Sequence, residues 1–420
     1  MIPRRRWRIA WLLGIGVLVN YFDRVNVSIA HEALRSEFGL SNVGFGYVVG
    51  AFNWTYAALQ LPMGVLLDRV GVRIIGRISA LLWSLASFGA AVAPNIYSFF
   101  SMRLLLGIGE APTFPANAKA IGHWFPRQER SFATSLFDGA AKFGPAVGAI
   151  GIGMLTIHFG WRWSFAATGA LSFLYFLAFY FVYTDPKHDA KLSETEAQFL
   201  AQGGADEDHT AGRTAGAPLS YLLCQRKVWG LVIGFFGYNY CFYLLLYWLP
   251  SYFSQLRLDA LHSALYTSIP WLFATACDLL IGGWLVDRLI RHGHEESMVR
   301  KAVLVGGTAL GLAIAGAIFS RNAVVAAVWI SIALGGLSAA APVGWSIPAL
   351  LAPPNSAGKV GSILNTGNQI AGIVAPVATG YLAGPANSFP RAFAAAAAVL
   401  ILGILAYFAL LGKIEPISEP

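Results

Sequence analysis

Apolar stretches of about 20 residues recur along this chain from end to end. They are separated by short segments rich in Gly, Pro, Lys and Arg. Each is long enough to cross a hydrocarbon core of about 30 Å as a helix. The apolarity runs all round each predicted helix rather than along one stripe, which is not the pattern of a large soluble helical protein. Twelve spans are predicted, at 9–30, 45–67, 74–93, 97–121, 131–156, 163–183, 228–253, 263–289, 300–319, 323–350, 359–384 and 389–412. The one long polar segment, 184–227, falls between the sixth and seventh. It carries Glu194, Glu196, Asp206, Glu207, Asp208, several glycines and cations near both ends. The pattern therefore predicts an all-α membrane protein with a first six-helix bundle over 1–183, a linker over 184–227 and a second bundle over 228–420.

Composition agrees. The 420 residues are 56% hydrophobic with a mean hydropathy of +0.59, and only 12% are charged, about half the soluble share. The net charge of +8 raises the question of nucleic acid, but its distribution answers for a membrane. Of the 29 Lys and Arg residues, 20 fall on one side of the predicted spans. They include Arg4, Arg5, Arg6 and Arg8, then Arg69, Arg73 and Arg77, then Arg127 and Arg130, the linker cations, Arg288, Arg291, Arg300, Lys301, Lys359 and Lys413. Only Arg35, Arg162, Arg257, Arg321 and Arg391 fall on the other. By the positive-inside rule both termini are expected in the cytoplasm. The first apolar run is too long for a signal-peptide core and no small-residue cleavage site follows, so it is predicted to remain as a span. Three cysteines, Cys224, Cys241 and Cys277, show neither metal-ligand spacing nor a disulfide framework, and no metal site is expected.

The two halves repeat. Gly64-x-x-x-Asp68-Arg69 follows the second span, and Gly283-x-x-x-Asp287-Arg288 follows the eighth. Ser135-x-x-Asp138-x-x-x-Lys142 in the fifth matches Ser362-x-x-Asn365-x-x-x-Gln369 in the eleventh. Such internal symmetry is characteristic of transporter folds, which place their site between repeats near the bilayer midplane.

Charges inside the spans carry the chemistry. Asp23 and Arg24 sit together in the first span, where each costs roughly 2.5–3.5 kcal/mol at bilayer depth. They are expected to face a polar pathway or a partner. A guanidinium in a low-dielectric cavity takes a carboxylate bidentately, so Arg24 is a candidate substrate contact; the alternative is a salt bridge to Asp23 or to another helix. Asp23 can change protonation as a neighbouring anion site fills or empties, or it can stand as the fixed partner of a cation. Arg103 and Glu110, two turns apart on the fourth span, share a face about 10 Å apart along the axis. Too distant to pair, they are expected to meet other helices. Glu110 is a proton-carrier candidate, with a packing ion pair as the alternative. Arg103 is expected to partner Asp23 or Glu110, in a structural or a coupling role. Lys142 lies four residues after Asp138 and can pair with it locally or serve as a second cation for substrate.

Three motifs resemble a known family. Gly64-x-x-x-Asp68-Arg69-x-Gly71-x-Arg73-x-x-x-Arg77 resembles the loop signature of the major facilitator superfamily. Asn20-Tyr21-Phe22-Asp23-Arg24-Val25-Asn26 is similar to the first helix of its anion:cation symporter family. Arg103-x-x-x-Gly107-x-x-Glu110-Ala111-Pro112-x-Phe114-Pro115-x-Asn117, ending in His123-Trp124-Phe125-Pro126, is similar to that family's fourth helix. The family includes bacterial galactonate, glucarate and hexuronate transporters. The resemblance implies the major facilitator fold and proton-coupled import of an organic anion, most simply a sugar acid, across a bacterial inner membrane. It implies substrate contact for Arg24 and a coupling role for Asp23. Lys142 departs from the polar neutral residues often found in this region of the family.

Further candidates are neutral. Tyr21 and Tyr56, then Asn239 and Tyr243 on the seventh span, and Asn365 and Gln369 on the eleventh, offer hydrogen bonds to sugar hydroxyls. Aromatic stripes also serve packing, but unpaired amides in lipid are costly and favour an inward face. Asp68, Arg69, Arg73 and Arg77 near the cytoplasmic surface are read as a conformational latch, or as topology determinants alone. Nothing supports an enzyme. No Gly-rich phosphate loop ends in Lys-Ser/Thr, no histidine cluster or nucleophile set stands out, and no cofactor is expected. The expected partners are a small organic anion, protons and the lipid bilayer, with a monomer sufficient. The competing readings are an exporter or antiporter, an anion uniporter, and a receptor or channel.

Overall fold

In the computed structural model, described for residues 4–126, 129–205, 217–256, 258–354 and 356–418, all regular structure is helical. Arg127, Asp206, Glu207, Asp208 and Arg257 lie outside the described residues. Helix α1 (Arg5–Ile29) leads through a short α2 (His31–Phe38) into α3 (Asn42–Val70) and α4 (Val72–Ala91). The fourth passage is split into α5 (Ile96–Glu110) and α6 (Thr113–Trp124), and α7 (Arg130–Phe159) and α8 (Trp161–Val182) follow. The connecting segment holds α9 (Glu194–Gln202) and α10 (Leu219–Leu223). The later passages are α11 (Arg226–Gln255); then α12 (Ala260–Cys277), continued by a π-helical stretch (Asp278–Leu285) and α13 (Val286–Arg291); and α14 (Glu296–Gly311), which ends in a 3-10 stretch (Leu312–Phe319). Then come α15 (Ala323–Leu351), α16 (Ala357–Ala383) and α17 (Pro390–Ala406), the last closed by a π-helical turn (Tyr407–Leu411).

Side-chain acceptors start several of these helices. Ser41 caps α3, Asn95 forms a capping box on α5, and Asp259 and Asn322 cap α12 and α15. Each satisfies a backbone N–H that has no partner within the first turn. Gly71 and Gly160, at φ +89° and +84°, make the reversals from α3 to α4 and from α7 to α8, a conformation that glycine alone takes readily.

Twelve passages among the described residues match the predicted spans, with one correction. The span predicted as continuous over 97–121 is broken at Ala111–Pro112. Pro112 and Pro115 have no N–H to give, so the carbonyls one turn back lose their helical donors. The Gln60 amide donates to one of them, the Ala111 carbonyl, at 3.3 Å. The break places Glu110 at the C-terminal end of α5.

Nine of the passages are long and apolar enough to cross a membrane by that measure alone, and the chain is a multi-pass membrane protein. The passages outside that set are α3, the split α5–α6, and α16. They carry Asn53, Gln60, Arg103, Glu110, Asn365, Asn368 and Gln369. Asn53, Arg103, Glu110, Asn368 and Gln369 are buried, and Gln60 and Asn365 bond each other. Their polar groups are enclosed by protein rather than turned to hydrocarbon, although Asn53 Oδ1, Glu110 Oε1, Asn368 Nδ2, Gln369 Oε1 and two nitrogens of Arg103 have no protein hydrogen-bond partner.

The first six passages meet the last six most tightly at the end away from the termini. Asn42 Nδ2 donates to the Gly384 carbonyl (2.6 Å) and to Asn387 Oδ1 (3.1 Å), and Ser28 Oγ donates to the Tyr247 carbonyl (2.8 Å). His31 packs edge-on against Trp248. Helices α3 and α16 cross backbone to backbone: a Cβ on Gly46 would lie 2.6 Å from the Pro376 carbonyl oxygen, and one on Gly380 would lie 2.5 Å from that of Asn42. Toward the termini the same helices part, and a Cβ on Gly64, Gly358 or Gly361 meets nothing within 4 Å. Near the termini the linker helix α9 is pinned to α1, where buried Glu196 accepts the Arg5 and Arg6 backbone N–H groups and pairs with the Arg6 guanidinium at 3.0 Å.

Gly46→Val or Gly380→Val is expected to destabilise the detergent-purified protein by about 1–3 kcal/mol through overpacking. Gly64→Ala is expected to leave stability unchanged or slightly raised. Chemical denaturation of the three variants checks this.

Candidate functional site

The site grows from α1, whose neighbouring charges diverge onto different helices. Arg24 is 3% exposed and turns toward α3 and α5. Its Nε donates to Glu110 Oε2 at 2.8 Å, and its Nη2 lies 2.8 Å from the same oxygen. Glu110 is fully buried, and its Oε1 has no protein hydrogen-bond partner. The guanidinium also lies over the rings of Tyr21 (4.8 Å), Phe52 (4.6 Å) and Tyr56 (5.3 Å), an aromatic cage favourable to a cation. Tyr243, from the second six passages, is within electrostatic reach of it. The α5 break explains the pairing. A carboxylate at a helix C-terminus faces the negative end of the helix dipole, and Arg24 supplies the compensating charge.

Asp23 faces the other way, into the first helix set. Its carboxylate accepts from Ser87 on α4 (2.7 Å) and Ser172 on α8 (2.8 Å). Among the described residues it has no cation within 4.0 Å. Arg103, buried on α5, was expected to partner Asp23 or Glu110, but pairs with the carboxylate of neither. Its Nη1 is 3.5 Å from the Asp23 backbone carbonyl, and its guanidinium stands 5.6 Å from the Phe52 ring centre. Its Nε and Nη2 have no protein hydrogen-bond partner.

Lys142 forms the second charged centre. Its ammonium is 2.8 Å from Asp138, on its own helix, and 2.9 Å from Asp278, at the start of the π-helical stretch after α12. The local pair was legible from the four-residue spacing. The bond to Asp278, on a distant span, was not.

The second helix set contributes neutral groups. Asn239 donates to Asn368 Oδ1 (2.8 Å) and to the Phe235 carbonyl (3.0 Å). Asn365 donates to Gln60 Oε1 of α3 (3.0 Å), and Gln369 donates to Asn365 (3.4 Å). Tyr243 stacks near Tyr247 at 6.1 Å. Gln60 and the hydroxyl shell of Asp23 were not among the sequence candidates, because serines and glutamines within apolar runs carry no periodic mark.

The loop motif lies apart from this centre. Asp68 is exposed and pairs with Lys119 of α6 at 2.7 Å. Arg77 donates to the Tyr180 carbonyl at 2.7 Å and stacks 4.1 Å over that ring. Arg69 is exposed and Arg73 half-buried beside them. The bonds of Asp68 and Arg77 tie α3 to α6 and α4 to α8.

A twelve-passage helical membrane protein with buried opposite charges at its centre is the architecture of a solute carrier, and comparison places it more closely. The model of the Major Facilitator Superfamily matches residues 13–294, and the chain belongs to that superfamily. It is 39% identical to the uncharacterized transporter YybO of Bacillus subtilis over 98% of this chain and 95% of the relative. It is 30% identical to the D-galactonate transporter of Escherichia coli O6:H1 over 99% of this chain and 97% of the relative. Among solved structures, a bacterial homologue of the human lysosomal transporter Spinster, inward-facing and occupied, superposes with a TM-score of 0.77 at 16% identity, covering 97% of both chains. At that identity the likeness establishes the fold alone.

Removing one member of the central pair strands a buried charge. Arg24→Ala is expected to destabilise the protein by about 3–5 kcal/mol, and adding Glu110→Gln to recover a substantial part. A double-mutant cycle in denaturant measures the coupling.

Proposed function

We propose that this chain is a proton-coupled symporter that imports an organic anion, a sugar acid, by alternating access. Two bundles, 1–183 and 228–420, joined by the 184–227 linker, rock about the central site. The observation that carries this reading is the buried Arg24 guanidinium held by Glu110. Proton uptake by Glu110 removes the guanidinium's counter-charge. A substrate carboxylate then takes its place, bidentately and at low dielectric. Proton and anion thereby enter as a neutral pair, and an inward proton gradient drives accumulation. Asp23, held by two hydroxyls and no cation, is assigned as a second proton carrier. Arg103, with free donors between Asp23 and Phe52, is assigned to relay between carrier states.

Tyr21, Tyr56, Tyr243, Asn239, Asn365 and Gln369 are assigned to the hydroxyl groups of the solute, and Lys142 to a second anionic group. The D-galactonate transporter relative supports a sugar acid over other anions. The positive-inside count supports cytoplasmic termini in a bacterial inner membrane. In that orientation the tightly packed α3–α16 crossing is extracellular, and the site is reached from the cytoplasm. Asp68, Arg69, Arg73 and Arg77 then lie on the cytoplasmic side as the latch. A monomer contains every part of the site.

In proteoliposomes, an inward proton gradient is expected to accumulate labelled galactonate, glucarate or galacturonate above equilibrium, faster as the outer pH falls. A protonophore should abolish the accumulation. Expulsion of the solute would mark an exporter, and accumulation without proton dependence a uniporter. Glu110→Gln should retain substrate exchange across the membrane while losing gradient-driven accumulation. Arg24→Ala should weaken binding by roughly 10–100-fold, the equivalent of one charge-assisted hydrogen-bonded contact; tight binding by that variant would remove Arg24 from the site.

A further inference from the structure

Lys142 has one more carboxylate than it needs. Asp138, four residues earlier on α7, already sits 2.8 Å from the ammonium and stays there however α7 moves, because both groups share one rigid helix face. Asp278 adds a second carboxylate at 2.9 Å from the other set of six passages. It stands at the first position of a π-helical stretch, a local irregularity that often marks functional sites. Its side chain is only 5% exposed, whereas Asp138 is 27% exposed and opens the cluster to water. Tyr21 links this cluster to Arg24. The guanidinium lies 4.8 Å from its ring centre, the Lys142 ammonium is within electrostatic reach of its hydroxyl, and the α7 backbone at Gly144 packs directly on its Cβ. Two buried cations thus flank one tyrosine, and each is held by an acid from another helix.

We propose that Lys142 is a specificity-determining residue and Asp278 its displaceable counter-ion: the ammonium takes the second carboxylate of a dianionic solute in place of Asp278, so the site selects a dicarboxylate over a monocarboxylate of the same skeleton. The inference rests on the reading of Arg24 as the point that takes the first carboxylate. A dianion brings its second charge to Lys142, and Asp278 is released toward the water that reaches Asp138. The charge around the ammonium is unchanged by the exchange. A monoanion leaves the Lys142–Asp278 pair closed and gains nothing from it. Without a cation at this point, the second charge of a dianion would meet two carboxylates at low dielectric, which is strongly unfavourable.

The test is equilibrium binding to the purified full chain in detergent, with no proton gradient, using galactarate and galactonate as the dianion and monoanion of one skeleton. The wild-type chain is expected to bind galactarate about tenfold or more tightly than galactonate. Asp278→Asn removes the resident competitor and should tighten galactarate several-fold while leaving galactonate unchanged. The double variant Lys142→Gln/Asp278→Asn keeps the charge balance and so guards against misfolding. It should weaken galactarate by roughly 10–100-fold and galactonate by less than about threefold. An unchanged galactarate-to-galactonate ratio in the double variant, or equal weakening of both acids by Asp278→Asn, overturns this inference alone. Failure of the wild-type chain to bind either acid overturns the sugar-acid reading and this inference with it.

Discussion

Two cations buried at the centre of this chain are each held by an acid from a different helix. Arg24 on α1 draws in Glu110 at the end of α5, and Lys142 on α7 draws in Asp278 beyond α12. The remaining organisation of the centre follows from these pairings. The α5–α6 break at Pro112 brings a carboxylate to the guanidinium, and Gln60 covers a carbonyl that the break exposes. The aromatic rings of Tyr21, Phe52 and Tyr56 close around the same cation. Desolvating such pairs costs nearly as much as their attraction returns, and well-packed apolar residues of similar volume would often be at least as stable. Their presence is therefore poorly explained by stability.

The two sets of six passages divide the chemistry unequally. The first holds Asp23, Arg24, Arg103, Glu110, Asp138 and Lys142, while the second presents amides and tyrosines, with Asp278 as the one acid that reaches across to Lys142. Asn365 of α16 meets Gln60 of α3, so neutral amides of the second set lie next to the charged first set. At one end of the α3–α16 crossing the backbones approach closely at Gly46 and Gly380, where no side chain intervenes.

The spans and their order were legible because apolar run length is a local property of the sequence, as were the four-residue pair of Asp138 and Lys142 and the charges within the first and fourth spans. What the sequence withheld is pairing at a distance. Arg24 and Glu110 are 86 positions apart, and no periodicity states that a break two residues after Glu110 will turn it toward α1. Arg103 shows the converse failure. Asp23 and Glu110 were its expected partners, yet one is held by Ser87 and Ser172 and the other pairs with Arg24. Hydroxyls on α4 and α8 supply hydrogen bonds to Asp23 in place of a cation, and a serine in an apolar run carries no mark of that role. Asp278 was visible as an isolated acid and became interpretable only when its partner was fixed in space.

The passages that fall short of an independent span in length or apolarity are also those that bear much of the candidate site. Helices α3, α5–α6 and α16 carry Tyr56, Gln60, Arg103, Glu110, Asn365 and Gln369. A span built only to hold a protein in lipid is selected for continuous apolarity, and each polar residue in it raises the cost of insertion. These passages accept that cost because many of their polar side chains are buried among neighbouring helices. Their hydropathy deficit and their place in the site thus have one physical cause. By the same reasoning, α14–3-10 and α17–π, among the most apolar passages of the chain, serve chiefly as scaffold, with their residues divided between the core and the lipid face.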